Sequence, residues 1–323
     1  MIRRRVAGRR AIVAGLAGGL AAAAATQAYA TRRDARRFPP PGRLVDIGGH
    51  RMHLDVRGPA DAAGPTVVLD AGMGSFSANW HWVQTDLAAT LRVVAYDRAG
   101  LGWSDRGPRP RDARTLATEL RAALREAEVP GPFVLAGHSY GWLPVRAFAE
   151  LYRDETAGLV AVDGSHPDQW ARWPTPRADR ILAAVNRITG LVAWVGVLRV
   201  LDASARVSEG LPDRQRDELR ARTARPLTSF VEAEQLDGWP ASRRFVHAAR
   251  PIGAIPLAVL GVTEQPYGGA TLTALSTEMA DGATSAVRSV VGGATHESLV
   301  SRREHAGLVA EAIRGVIAAG RTG

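Results

Sequence analysis

Beyond residue 43 the chain changes its hydrophobic rhythm. Around Gly48 and Gly49, "LVDIGGHRMHLDVRG" switches between apolar and polar residues step by step, and this period of two predicts a hairpin. The alternation then disappears. "TVVLDAG", "LRVVAYD", "FVLAGHS", "AGLVAVDGS", "PLAVLGV" and "AVRSVVGG" are short, almost wholly apolar runs, as expected of parallel strands buried on both faces. Segments of helical period lie between several of them, such as residues 113–129, with leucines on one face and charges on the other. Strands and helices in turn predict an α/β fold, a mostly parallel central sheet with helices on both faces.

The pattern is interrupted once. Residues 165–250 hold no strand-like run and read as several helices, among them "RILAAVNRITGLVAWVGVLRVL" and "PDRQRDELRARTA". A helical insertion between the sixth and seventh strands predicts a cap over the strand ends, where open α/β sheets bind ligands. Trp170, Trp173, Trp194 and Trp239 in this cap suit either an apolar substrate group or simple packing.

At the other end, "FPPPGR" at 38–43 reads as a stiff linker separating residues 1–37 from a domain over 38–323. Residues 1–37 hold nine arginines and one acid, Asp34, so they carry almost all of the formal charge of +9. The rest is close to neutral, which excludes a nucleic-acid binder by charge. An arginine-rich start, an apolar stretch at 11–25 and the tripeptide Ala28-Tyr29-Ala30 have the order of an export signal peptide. An uncleaved membrane anchor with basic flanks is the alternative. Both predict an exported or envelope-associated protein, the second with a membrane tether.

Every basic residue other than histidine is Arg, and Cys is absent. Catalytic lysines, thiol nucleophiles, cysteine metal sites and disulfides are therefore excluded. One candidate nucleophile stands out. Ser139 lies between Gly137 and Gly141, directly after an apolar run and before a helical stretch. A G-x-S-x-G turn from strand to helix holds the serine in a strained backbone and aims its hydroxyl outward at a helix N-terminus.

"GHSYGW", "DAGMG" at 70–74, "YDRAGLGWSD" at 96–105 and "GGATHESLV" at 292–300 occur in an order that resembles the α/β-hydrolase family. The resemblance covers most of residues 43–320. It implies a nucleophile elbow at Ser139, an oxyanion loop at 70–74 and a catalytic histidine at His296. The oxyanion hole would be the backbone N–H groups of Met73 and Tyr140. Two carboxylates compete for the triad acid, Glu264 after the seventh strand and Asp163 at the end of the sixth, with Asp163 the favoured one. His50, His53, His81, His247 and His305 are expected to be structural or on the surface, and His138 takes no part in proton transfer. Trp142, where relatives often have glycine, is expected to narrow access beside the elbow.

The implied activity is that of a serine hydrolase cleaving ester-type bonds in a small, apolar substrate, needing neither cofactor nor metal. A non-hydrolytic enzyme of the same family, a lyase or perhydrolase, and a non-catalytic binding module are the alternatives. Dehalogenase and epoxide hydrolase chemistry is disfavoured, because those relatives carry Asp where this chain has Ser139.

Overall fold

A computed structural model describes residues 2–263 and 269–322. Eight strands, β1 (Arg43–Asp46), β2 (Arg51–Arg57), β3 (Thr66–Asp70), β4 (Val93–Tyr96), β5 (Phe133–His138), β6 (Thr156–Val162), β7 (Leu257–Val262) and β8 (Ala286–Val291), form one sheet in the order β1-β2-β4-β3-β5-β6-β7-β8. The β1–β2 and β2–β4 pairs are antiparallel, and the remaining pairs are parallel. The helices are α1 (Ile2–Arg37), α2 (His81–Leu87), α3 (Ala113–Glu126), α4 (Trp142–Leu151), α5 (Ala178–Ala193), α6 (Val197–Val200), α7 (Asp213–Thr223), α8 (Pro226–Ala248), α9 (Gly269–Glu278), α10 (Ser298–Ser301) and α11 (Arg303–Thr322).

Alternation missing from the hydropathy returns in the packing. Val68, Val94, Leu135, Leu159 and Val259 point to one face of the sheet and pack with α3 and α4. Val67, Val93, Val134, Val160 and Leu260 point to the other, where α2 and α11 supply the partners. Both faces are covered, so neither alternating set is polar. β8 departs from the expectation of full burial: five of its six residues are exposed. It is the last strand of the sheet, with β7 alone beside it.

Helices α5 to α8 occupy the insertion between β6 and β7. The loop after β6 fastens this layer, since Asp168 accepts hydrogen bonds from Arg243 and His247 of α8 at 2.5 and 2.9 Å. The expected boundary at residues 37 and 38 is not a free linker. Gln27 is buried and its amide donates to the Ala224 carbonyl at 2.9 Å, while Arg199 donates to Asp34 at 2.6 Å. Phe38 is buried, and its carbonyl accepts from the Trp103 indole and from Arg222, each at 2.9 Å. Ala28-Tyr29-Ala30 thus lies inside a continuous helix whose second half is docked on the cap. Among the described residues no helix is long and apolar enough to cross a membrane.

Candidate active site

The site begins with two close approaches of backbone. A Cβ on Gly137 would stand 2.6 Å from the Gly141 carbonyl oxygen, and a Cβ on Gly141 would stand 2.4 Å from that of Asp70. Only glycine lets β5 turn this tightly into α4 beside β3. The turn leaves Ser139 in the left-handed region at φ 53°, a conformation costing a non-glycine residue on the order of 1–3 kcal/mol.

Asp163 sits at the equivalent point of the next strand. His138 pairs in register with Val162, so the residues that follow, Ser139 and Asp163, leave the sheet side by side. Asp163 also has a positive φ, 41°, and its N–H donates to the Leu260 carbonyl at 2.7 Å. His296 comes from the turn after β8. Its Nδ1–H donates to Asp163 Oδ2 at 2.5 Å, leaving Nε2 as the free ring nitrogen. Burial opposes the imidazolium, but the bond to and charge of Asp163 outweigh it and hold the His296 pKa above its ordinary value. The turn is stapled from within: Thr295 N–H donates to Ser298 Oγ at 2.8 Å, and Ser298 Oγ lies 2.9 Å from His305 Nδ1.

Ser139, Asp163 and His296 line one cavity of about 200 Å³, with Gln169, Trp173 and Arg206 contributed by the segment over the strand ends. Glu264 lies outside the described residues. Of the cap tryptophans, Trp173 lines this cavity, Trp170 and Trp239 pack edge to face at 5.7 Å, and Trp194 is exposed. Trp142 does not narrow the access. It is buried in the core, where its Cβ would lie 2.9 Å from a Cβ on Gly164.

The loop after β3 is held by a buried guanidinium. Arg98 donates to the Asp70 carboxylate and to the carbonyls of Ala71 and Gly72, and Tyr96 donates its hydroxyl to Asp70 at 2.5 Å. Two successive carbonyls turned toward Arg98 fix the peptide planes leading to Met73. The loop lies against the elbow, a Cβ on Gly72 standing 3.4 Å from Ser139 Cβ. Tyr140 is buried beneath Trp239 and Arg98.

Three participants were not assigned from sequence. Arg98 was visible only as part of "YDRAGLGWSD". His138 stacks on His296 with ring centroids 4.6 Å apart, and its Nε2–H donates to the His296 carbonyl at 2.9 Å. Burial and the neighbouring His296 push its pKa down to about 3, so it stays neutral. Glu232 of α8 presses its carboxyl on the loop: a Cβ on Gly74 would stand 1.8 Å from Oε1. Burial lifts its pKa to about 7. No signal in the sequence joins Glu232 to Gly74.

A parallel sheet with an elbow serine, a strand-end aspartate and a loop histidine around one cavity defines the α/β-hydrolase class. Residues 67–312 match the family model described as "Alpha/beta hydrolase family", and the chain belongs to that family. An "AB hydrolase superfamily protein" of Gibberella zeae is 38% identical over 121 residues, covering 36% of this chain and 38% of that protein. The curated relatives are matched over only part of their length, 20% and 47% for two others. Among solved structures, a thermophilic esterase from Thermogutta terrifontis superposes with TM-score 0.63 at 20% identity, covering 85% of this chain and 98% of that one. The enol-lactonase of Burkholderia xenovorans LB400 gives 0.66 at 17%, covering 85% and 100%. At these identities the structures share the fold.

Proposed function

We propose that the protein is a serine hydrolase acting on small carboxylic esters. The observation that carries this reading is the 2.5 Å bond from His296 Nδ1 to Asp163, made at the cavity that Ser139 also lines. Ser139 Oγ attacks the substrate carbonyl as His296 Nε2 takes its proton, and Asp163 stabilises the imidazolium. The Met73 and Tyr140 N–H groups receive the developing oxyanion. Collapse expels the alcohol, which takes the proton from His296. Water then attacks the acyl-enzyme by the same route and frees Ser139.

Asp163 rather than Glu264 fills the acid role in this scheme. An esterase and an enol-lactonase stand among the structural neighbours beside epoxide hydrolases of similar TM-score, and Ser139 at the elbow is what favours acyl chemistry. The cavity of about 200 Å³ favours short acyl groups, since drug-sized ligands need upward of ~300 Å³. The arginine-rich start of α1 supports a place at the cell envelope.

The test is covalent labelling by a fluorophosphonate, followed by hydrolysis of p-nitrophenyl esters of graded chain length. One adduct in the intact protein, absent in Ser139→Ala and His296→Ala, with rates highest for short acyl chains, is the expected result. A fully active Ser139→Ala would overturn the scheme.

A further inference from the structure

Helix α5 is packed inside out. Its buried positions are small, Ala183, Gly190 and Ala193, and Gly190 lets the Phe230 ring of α8 approach to 2.9 Å of where a Cβ would stand. Leu182 packs beside Ala183 against α8, but four other large apolar side chains face solvent: Ile181, Val185, Ile188 and Val192 are 54, 48, 61 and 39% exposed. These four recur at i, i+4, i+7 and i+11, so they form one stripe along the helix opposite the packed face. A helix that packs on the body through small residues and offers its bulky ones to water has a second surface to cover.

Further apolar side chains are exposed just after α5. Trp194, Val200 and Leu201 are 58, 84 and 72% exposed. Arg199, between them, is the residue that binds Gln27 and Asp34 of α1. The apolar surface and the N-terminal helix therefore meet at one place on the cap. Residues 14–22 of α1 are exposed, including Leu16 and Leu20 at 64 and 59%. Leu16 and Leu20 share a helical face with docked Gln27, at spacings of eleven and seven residues. Over residues 14–22 that face is exposed among the described residues, and the sequence before it bears arginines at positions 3, 4, 5, 9 and 10. Arg180 and Arg187 are also exposed on α5, Arg187 paired with Asp237 of α8.

We propose that the outward face of α5, with Trp194, Val200, Leu201 and the arginine-bearing start of α1, docks on an anionic lipid surface. Apolar side chains flanked by arginine, with a tryptophan between them, match the layered chemistry of the headgroup boundary. A second copy of the chain is the poorer occupant, because it would bring two arginine-rich helices of like charge together. The cap that carries this face also supplies Trp173 and Arg206 to the active-site cavity, so docking holds the site at the membrane surface.

The test is co-sedimentation of the full chain with vesicles of phosphatidylcholine alone or mixed with phosphatidylglycerol. The wild type is expected to partition onto the mixed vesicles. Replacing Ile181, Ile188 and Val192 by serine is expected to lower that partitioning about tenfold or more. Circular dichroism and turnover of a soluble short ester should be unchanged, since none of the three touches the site. Replacing the arginines at positions 3, 4, 5, 9 and 10 by glutamine is expected to abolish the preference for phosphatidylglycerol. A triple serine variant that partitions like the wild type would overturn the proposal, leaving α1 as the sole tether. So would a wild type that ignores vesicles but sediments as a dimer, with the serine variant a monomer. Vesicle binding is read without any substrate, so failure of the ester-hydrolase reading would leave this result standing.

Discussion

His138 and His296 lie one against the other, their rings tilted by 35° with 4.6 Å between centroids, and the proposed scheme gives a proton to only one of them. His138 is fixed as a neutral donor by its Nε2–H bond to the His296 carbonyl and by a pKa near 3, whereas Asp163 raises that of His296. The pair separates support from proton transfer. His138→Gln should lower kcat/KM by roughly 10- to 100-fold through misplacement of the imidazole, with the acid limb of the pH profile unmoved. A shifted limb would show that His138 titrates.

In the proposed scheme activity requires neutral His296, so kcat/KM should rise with pH through a midpoint above the ordinary histidine value. Asp163→Asn removes the hydrogen-bonded charge that raises this midpoint. The limb should move to lower pH, and kcat should fall by about 10⁴ with KM little changed. Glu264→Gln should do neither. The reverse pattern would transfer the acid role to Glu264.

Arg98 grips three oxygens of the loop after β3. Arg98→Lys keeps a charge for Asp70 but cannot bridge both carbonyls as a planar fork does. Turnover should drop by about 10²-fold, the scale of one misplaced oxyanion donor, while thermal unfolding stays cooperative. Arg98→Met strips the buried Asp70 of its cation and should cost on the order of 3–5 kcal/mol of stability.

Glu232 has a folded pKa of about 7 against an ordinary 4.5. Between these values the unfolded chain is ionised while the folded chain keeps its proton, so stability falls as pH rises through this window. Glu232→Gln removes the penalty. Its free energy of unfolding should equal that of the wild type below pH 4.5 and exceed it increasingly up to pH 7, by on the order of 3 kcal/mol, read from denaturant unfolding at each pH. A difference independent of pH would place the carboxyl in water.

Because Gln27, Asp34 and Phe38 are docked, the two halves of α1 should respond differently to removal. A chain starting near residue 22 should melt like the full protein. One starting at Phe38 loses the partners of Arg199 and Ala224 and should melt several degrees lower by differential scanning calorimetry.

The sheet was legible because strands buried on both faces leave long apolar runs, and Ser139 was legible because two glycines mark a close backbone approach. His296 and Asp163 emerged from their places after strands. What stayed hidden was what depends on distant segments meeting. Nothing local relates Gly74 to Glu232, and the docking of α1 rests on Gln27 and Asp34, ordinary polar residues in a helix of alanine and arginine. The burial expected for β8 and the access role given to Trp142 failed alike, because hydropathy records preference and not neighbours.

Ser139 and Asp163 leave neighbouring strands one residue beyond a paired register, so a single ladder of hydrogen bonds between β5 and β6 sets their separation. The third partner arrives on the turn after β8. For protein engineering this reduces the proposed triad to one adjustable part. Grafting or lengthening residues 292–297 repositions the imidazole while the sheet keeps the other two groups on target, and a library confined to that turn samples catalytic geometry without touching the core.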